Sequence, residues 1–165
     1  MQQHLQTARL GLTNLRPDDA SFILELLNTP GWLEFIGDRN VRTLTEAGAY
    51  VQKIIDNAAV RYWVVRRLVD QTPIGIISLI KRDDLEHPDI GFSFLPAYAG
   101  QGYAIEAASA VMDSLQKEPA YTRILAITIK GNRNSIRLLE KLGLRLEKEI
   151  DREGETLLLY ATAIS

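Results

Sequence analysis

Residues 89–116, DIGFSFLPAYAGQGYAIEAASAVMDSLQ, hold the part of this chain best suited to chemistry. An alternating apolar run meets Pro96, then Gly100-Gln-Gly102, and passes directly into an alanine-rich pattern of helical period. That order predicts a strand, a tight turn and an open helix N-terminus. The first four N–H groups of a helix have no partner inside it, and the macrodipole places roughly half a positive charge there. Phosphate oxygens suit such a site. Gly100 and Gly102 carry no Cβ, so a bulky anion can come close to the main chain. The chemistry expected here is the holding of a phosphorylated ligand.

Two well-known phosphate motifs do not fit. A dinucleotide fingerprint needs a third Gly or Ala where Ile105 stands, and would follow the first strand of a βαβ repeat. A P-loop needs Gly-Lys-Ser/Thr at its end, which is missing. A compact turn whose glycines only satisfy backbone dihedrals is the plainer alternative. No His/Asp/Glu spacing suggests a metal site, and no Gly-x-Ser-x-Gly or Ser/His/Asp set suggests a hydrolase. Cysteine is absent, which excludes disulfides, thiolate nucleophiles and Cys-based zinc sites. A net charge of −2 with no Lys/Arg block gives no footing for nucleic acid. The longest apolar runs, such as residues 74–80, fall short of a membrane span, and the opening Met-Gln-Gln-His has neither a secretory nor a lipidation pattern. A cytoplasmic location is the expectation.

The elements that must position the turn read as one mixed α/β domain over residues 1–165, with about seven strands and four helices. Residues 7–15 alternate as a first strand. Pro17-Asp-Asp opens a helix reaching about residue 28, and residues 29–42 form an irregular connection. Thr43 and Glu46 make a capping box for a helix ending near residue 58. Residues 61–69 and 74–81 form a hairpin, and a polar loop, 82–88, leads to a strand at 89–95. After the glycine turn, Ile105, Ala108, Met112 and Leu115 mark the inward stripe of a helix. A strand at 122–129 precedes a helix at 132–142, with Gly143 at its C-terminal cap, and residues 144–150 and 155–162 close the chain as a hairpin.

Pro96-Ala-Tyr98-Ala-Gly100-Gln-Gly102-Tyr-Ala104-Ile-Glu106-Ala resembles the acyl-CoA pyrophosphate loop of GNAT-type N-acetyltransferases. Downstream, Asn132-Arg-Asn-Ser135-Ile-Arg-Leu-Leu-Glu140-Lys141-Leu-Gly143-Leu144 resembles the second cofactor motif of that family. With the opening ARLGLTNLRPDDA and Ile74-Gly75-Ile-Ile, the resemblance runs over nearly the whole chain, and is strongest to the branch that contains the ribosomal-protein N-terminal acetyltransferases. Two departures stand out: Ala99 where many relatives have Arg or Gln, and Leu144 in place of a common aromatic.

The resemblance implies a GNAT fold: a mostly antiparallel sheet with one V-shaped opening between two parallel strands, flanked by helices on both faces. It implies acetyl-CoA as cosubstrate, no metal, and transfer to a primary amine such as a protein N-terminus, a polyamine, an amino acid or an antibiotic. A homodimer is plausible by the same analogy. Position by position, Ala99, Gly100, Gln101, Gly102, Tyr103 and Ala104 would grip the pyrophosphate. Phe92 and Phe94 would bond the pantetheine arm through their main chain. Asn132 and Ser135 would meet the lower pantetheine and the sulfur, with Ser135 as partner of the leaving thiolate; both also read as simple helix-capping residues. Arg133 and Arg137, with Lys130 behind them, are candidates to meet the 3′-phosphate, and solvated helix charges are the equal alternative.

An amine attacks a thioester only when neutral, yet a lysine-type amine has a pKa of about 10.4 and an α-amine about 7.7–8.0. A base or a water chain must take its proton, and without cysteine the transfer is direct. Asp89 and Glu34 are the carboxylate candidates, with His87 and Asp38 behind them; a water relay is the leading alternative. Glu106 reads as a dipole-compensating carboxylate or a supporting prop. Trp32, Phe35 and Tyr98 are candidate walls of the acceptor pocket, with a hydrophobic lid over the core explaining Trp32 and Phe35 equally well; Trp63 reads as core, and Tyr160 has no assigned role. The acidic run Asp83, Asp84, Glu86 and Asp89 is a candidate attractor for a cationic amine, although such runs are usually only solvated. Two competing readings remain: an acyl-CoA-binding module without turnover, and a nucleotide-phosphate binder that uses only the glycine turn.

Overall fold

The computed structural model describes residues 4–163. Among the described residues eight strands form one sheet: β1 (His4–Gln6), β2 (Leu10–Asn14), β3 (Val60–Arg67), β4 (Pro73–Ile80), β5 (Asp89–Phe94), β6 (Leu125–Thr128), β7 (Arg145–Arg152) and β8 (Glu155–Ala161). Their order is β1-β2-β3-β4-β5-β6-β8-β7. Every neighbouring pair is antiparallel except β5 and β6. The helices are α1 (Ala20–Leu27), α2 (Pro30–Phe35), α3 (Leu44–Ile55), α4 (Tyr103–Gln116) and α5 (Arg133–Lys141). None is long and apolar enough to cross a membrane among the described residues.

Alternation along the strands feeds two main cores, one on each face of the sheet, beside a small cluster of Leu125, Leu159 and Ala161. On one face Leu10, Leu12, Trp63, Ile77 and Ile90 pack under Ala107, Ala108 and Val111 of α4 and Leu139 of α5. The alanines let α4 lie close to the strands, as their placement in the sequence predicts. On the other face Val64, Ile76 and Leu95 meet Phe22, Ile23 and Leu26 of α1 and Ala47 and Val51 of α3. Trp63, at 1% exposure, is core as expected.

The expected architecture is present with two elements added. Residues 7–9 are not strand. Thr7 N–H donates to Leu10 O at 2.8 Å and Leu10 N–H to Thr7 Oγ1 at 3.1 Å, closing a turn that shortens the predicted first strand to β2 and sets off β1 ahead of it. The segment 29–42, read as irregular, contains α2. Thr29 Oγ1 accepts from Trp32 N–H at 3.4 Å and Pro30 sits at the first helical position, where its missing N–H costs nothing. The Pro-Gly pair looks like a loop signal but here follows a cap. The capping box of α3 is as predicted: Thr43 Oγ1 accepts from Glu46 N–H, and Glu46 Oε1 from Thr43 N–H, both at 3.1 Å.

The sheet opens between its two parallel strands. The only residue pair joining β5 to β6 is Asp89 with Leu125, supported by Leu125 N–H donating to Pro88 O at 2.9 Å. On its other edge β5 pairs with β4 over its whole length. Leu95 N–H donates to Ile74 O at 2.8 Å. Main-chain groups alternate in direction along a strand, so those of Phe92 and Phe94 point away from β4, into the gap. This is the V-shaped opening that the resemblance implies.

Candidate active site

Strands β5 and β6 run the same way from the closed end of the gap at Asp89 and Leu125, so their carboxyl ends flank the open mouth. Each then leads into a helix: β5 through the glycine turn into α4, and β6 into α5. Two helix N-termini therefore stand at one mouth, the place where open α/β sheets bind ligands.

The turn between β5 and α4 has the conformation its glycines allow. Gly100 has φ +74° and Gly102 φ +80°, both in the left-handed region that other residues rarely adopt. Ala99 N–H donates to Pro96 O at 3.2 Å, and Glu106 N–H donates to Gly102 O at 3.2 Å. Between them, among the described residues, the main-chain N–H groups of residues 100–105 have no protein acceptor. Gly100, Gln101 and Gly102 are exposed, and Tyr103, Ala104 and Ile105 half-buried. Six uncommitted donors on a bare backbone at a helix N-terminus can receive a diphosphate.

Behind the turn lies a tether with no local signal in the sequence. Glu106 of α4 accepts from Thr7 Oγ1, from Arg9 N–H at 3.0 Å and from Arg9 Nε at 2.7 Å. Arg9 Nη1 donates to Gln101 O at 3.1 Å, and its guanidinium lies 4.3 Å from the Tyr103 ring centre. Tyr103 in turn meets Tyr98 edge to face. Glu106 is thus a prop, as expected, but its partners come from the β1–β2 turn. Burial alone would raise its carboxyl, yet the Thr7 and Arg9 hydrogen bonds outweigh that and hold it below the ordinary 4.5.

The sign of that shift gives a pH prediction. A lowered carboxyl contributes stability above its unfolded value that is lost as pH falls through the folded one. The melting-temperature gap between wild type and Glu106→Gln is therefore expected to be widest above pH 4.5 and to close below it. A gap that stays constant down to the acid limit would show that the ion pair carries no share of stability.

At the second helix, Asn132 Oδ1 accepts from Ser135 N–H at 3.2 Å and so caps α5. Its capping role is real. The Ser135 hydroxyl has no hydrogen-bond partner among the described residues and is half-buried beside the mouth, available to a ligand. Arg133 and Arg137 are exposed on α5, whereas Lys130 is engaged with Glu149 at 2.9 Å.

The carboxylate candidates separate. Asp89 is buried at the narrow end of the gap, where Arg82 Nε donates to Oδ2 at 2.7 Å. Burial pushes its carboxyl above the ordinary value, although the Arg82 hydrogen bond and charge pull the other way. At about 3.3 Å per residue it lies roughly 10 Å along the strand from Phe92, so a proton reaching it from the mouth would need a water relay. Glu34 is exposed on α2 with no partner among the described residues, and Asp38 is tied to Arg42. His87 is half-buried in the 82–88 loop, 4.0 Å from Glu86.

Two readings of the sequence are corrected. Trp32 does not wall an acceptor pocket: at 4% exposure it packs with Phe22, Ile23, Leu26 and Val41 in the core beneath α2, while Phe35 stays half-buried. The acidic run is not a free negative field, because Asp89 is paired with Arg82, and Asp84 with Arg152 of the β7–β8 hairpin at 2.7 Å. Tyr160 is buried in the α4-side core, and burial, with Glu140 nearby, raises its phenol.

Comparison with known proteins agrees with this geometry. The family model described as an acetyltransferase (GNAT) domain matches residues 9–145. An uncharacterized N-acetyltransferase, YnaD of Bacillus subtilis (strain 168), is 31% identical over 144 residues, covering 87% of this chain and 84% of YnaD. Among solved structures, the ribosomal-protein-S5-alanine acetyltransferase of Vibrio fischeri superposes with a TM-score of 0.82 at 20% identity, covering 96% of this chain and 95% of that one. Spermidine N-acetyltransferase of Vibrio cholerae, solved in complex with CoA and spermine, superposes with a TM-score of 0.79 at 19% identity, covering 94% and 95%. The split sheet, the bare glycine turn at its mouth and the matched sequence place this chain in the GNAT acetyltransferase family.

Proposed function

We propose that this acetyltransferase takes its acetyl group from acetyl-CoA and delivers it directly to the nitrogen of a primary amine, a protein N-terminus or a small molecule. The observation that carries this reading is the row of six uncommitted N–H groups on residues 100–105, set at the mouth of a gap lined by the main chain of Phe92 and Phe94. The turn matches a diphosphate, and the strand edge matches the amides of a pantetheine arm. The CoA held by the spermidine N-acetyltransferase of similar fold supports the choice of donor.

In this reading Gly100, Gln101, Gly102, Tyr103 and Ala104 bind the diphosphate, whereas Ala99, expected to join them, has its N–H taken by Pro96 O; Phe92, Phe94 and Asn132 hold the arm. A strand N–H in the gap polarises the thioester carbonyl. The amine nitrogen bonds to the carbonyl carbon, the carbon–sulfur bond breaks, and the amine proton leaves through water toward Asp89. The Ser135 hydroxyl protonates the departing thiolate. Glu34, exposed and without a hydrogen-bond partner among the described residues, serves as an acceptor-side contact.

The test is release of free CoA from acetyl-CoA in the presence of amine panels: N-terminal peptides, polyamines, amino acids and aminoglycosides. Amine-dependent release supports the reading. Bound CoA with no release across every panel would leave an acyl-CoA-binding module without transfer. ATP or NAD displacing CoA with equal affinity would reduce the site to a phosphate turn. Ser135→Ala is expected to lower kcat by about a hundredfold, the low end for a proton-transfer group, with little change in CoA affinity. An unchanged rate and pH–rate profile would return Ser135 to capping alone.

A further inference from the structure

The peptide joining Gln101 to Gly102 has no local reason to keep its orientation. Rotating it requires a change of φ at Gly102, and glycine accepts either sign of φ at little cost. Gln101 and Gly102 are also exposed, so no packing opposes the rotation. In a trans peptide the C=O and the following N–H point in opposite directions. Whichever group holds the Gln101 carbonyl therefore decides where the Gly102 N–H points.

That group is Arg9. Its Nη1 donates to Gln101 O at 3.1 Å, while Nε is fixed on Glu106 Oε1 at 2.7 Å and the guanidinium plane lies against Tyr103. Glu106 is itself fastened by the Arg9 main-chain N–H and by Thr7. The planar fork thus links the turn to the first full turn of α4 through two rigid arms, which an ammonium cannot do.

We propose that Arg9 is a positioning residue for the donor substrate: by holding the Gln101 carbonyl behind the turn it keeps the Gly102 N–H aimed outward, at the diphosphate of CoA. This inference rests on the proposed use of CoA. It adds that a residue on the β1–β2 turn, outside the loop and the mouth, sets donor affinity.

Arg9→Lys is the decisive variant, because it preserves the charge pair with Glu106 and gives up the arm to Gln101. Arg9→Gln removes both. CoA affinity is first measured on the wild-type protein by calorimetry; no binding there would fail the CoA reading itself. With wild-type binding in hand, Arg9→Lys is expected to raise Kd for CoA and KM for acetyl-CoA by about fivefold, the range of one ordinary hydrogen bond, and Arg9→Gln by about tenfold or more, that of a hydrogen bond to a charged group. In both, kcat and KM for the amine should stay within about twofold, since binding alone is touched. Dephospho-CoA, which keeps the diphosphate, should lose the same factor as CoA.

Unchanged donor affinity in folded Arg9→Lys would overturn the proposal. So would equal damage to every kinetic constant, or failure of Arg9→Lys to fold, since either makes Arg9 a residue of the fold. A loss confined to CoA and absent with dephospho-CoA would place Arg9 at the 3′-phosphate and overturn it as well.

Discussion

Gly102→Val is expected to weaken CoA binding at least tenfold, about 1.4 kcal/mol, while the protein stays folded. Gly102 caps α4 at φ +80°, and a β-branched residue is an outlier there. An L-residue in the left-handed region costs about 1–2 kcal/mol, which the exposed turn can relieve by rotating away. Rotation is the damage: the N–H groups of the turn no longer converge on one anion. A Cβ at Gly102 would also stand 3.4 Å from Arg9 Nη2, against the tether that orients the neighbouring peptide. The melting temperature should fall by only a few degrees, since about 1 kcal/mol moves a domain of this size by about 2–4 °C. Calorimetric titration of CoA into the folded variant checks this. Unchanged affinity would mean that the diphosphate does not sit on this turn.

Gly75→Ala is expected to be the more damaging change to stability, at about 1–3 kcal/mol, the range for forcing extra volume into a packed site. Gly75 on β4 faces Phe94 on β5. A Cβ added there would lie 2.4 Å from Phe94 Cδ2, 2.6 Å from Cγ and 2.7 Å from Cε2. Those atoms belong to a ring packed on the α4-side core, not to a flexible tip that can swing aside. Either the ring leaves the core or β4 and β5 part. Because the main chain of Phe94 lines the gap, donor affinity should fall together with stability. The double variant Gly75→Ala/Phe94→Ala separates the causes: removing the ring removes the clash, so the two changes should be less destructive together than their sum by about 1 kcal/mol or more. Strict additivity in denaturant melts would dismiss the clash as the cause.

Both predictions concern glycines, yet only one of the two stands out in the sequence. Gly102 announces itself, because a strand pattern, a Gly-x-Gly and a helical stripe follow one another along the chain, and its left-handed φ is a local property. The same holds for Thr43 and Glu46, three residues apart, for Asn132 over Ser135, and for Gly143, whose φ of +94° closes α5 as its position predicts. Gly75 is different. In the sequence it is one small residue in an apolar strand; only the β4–β5 register brings the Phe94 ring over it.

The supporting contacts of the site were hidden for the same reason. Arg9 and Glu106 lie 97 residues apart, and Asp84 and Arg152 lie 68 apart. Nothing near any of them in the chain marks it as one half of a pair. Trp32 misled in the opposite sense: an aromatic after Thr-Pro-Gly looks like a pocket wall in a loop, but the Thr29 cap turns that segment into a short helix and the indole into core. For Asp89, the sequence placed a carboxylate at the start of the strand. Its burial against Arg82, and its distance from the mouth, follow from the sheet closing at that residue.

From order along the chain alone came the strand–turn–helix of residues 89–116, the capped helices, and, through two motifs in series, the family and the split sheet. The turn and the capped helices are short-range matters, decided by backbone dihedrals, hydrogen-bond vacancies at helix ends and hydrophobic period, whereas the family and the split sheet are what the resemblance of the two motifs implies. Three-dimensional packing alone decided that the donors of the turn stay uncommitted, that Arg9 reaches behind them, and that Asp89 is buried and paired rather than free. Each of those depends on which strands lie side by side and in what register, and a register is chosen by the whole core at once, not by the residues it happens to bring together.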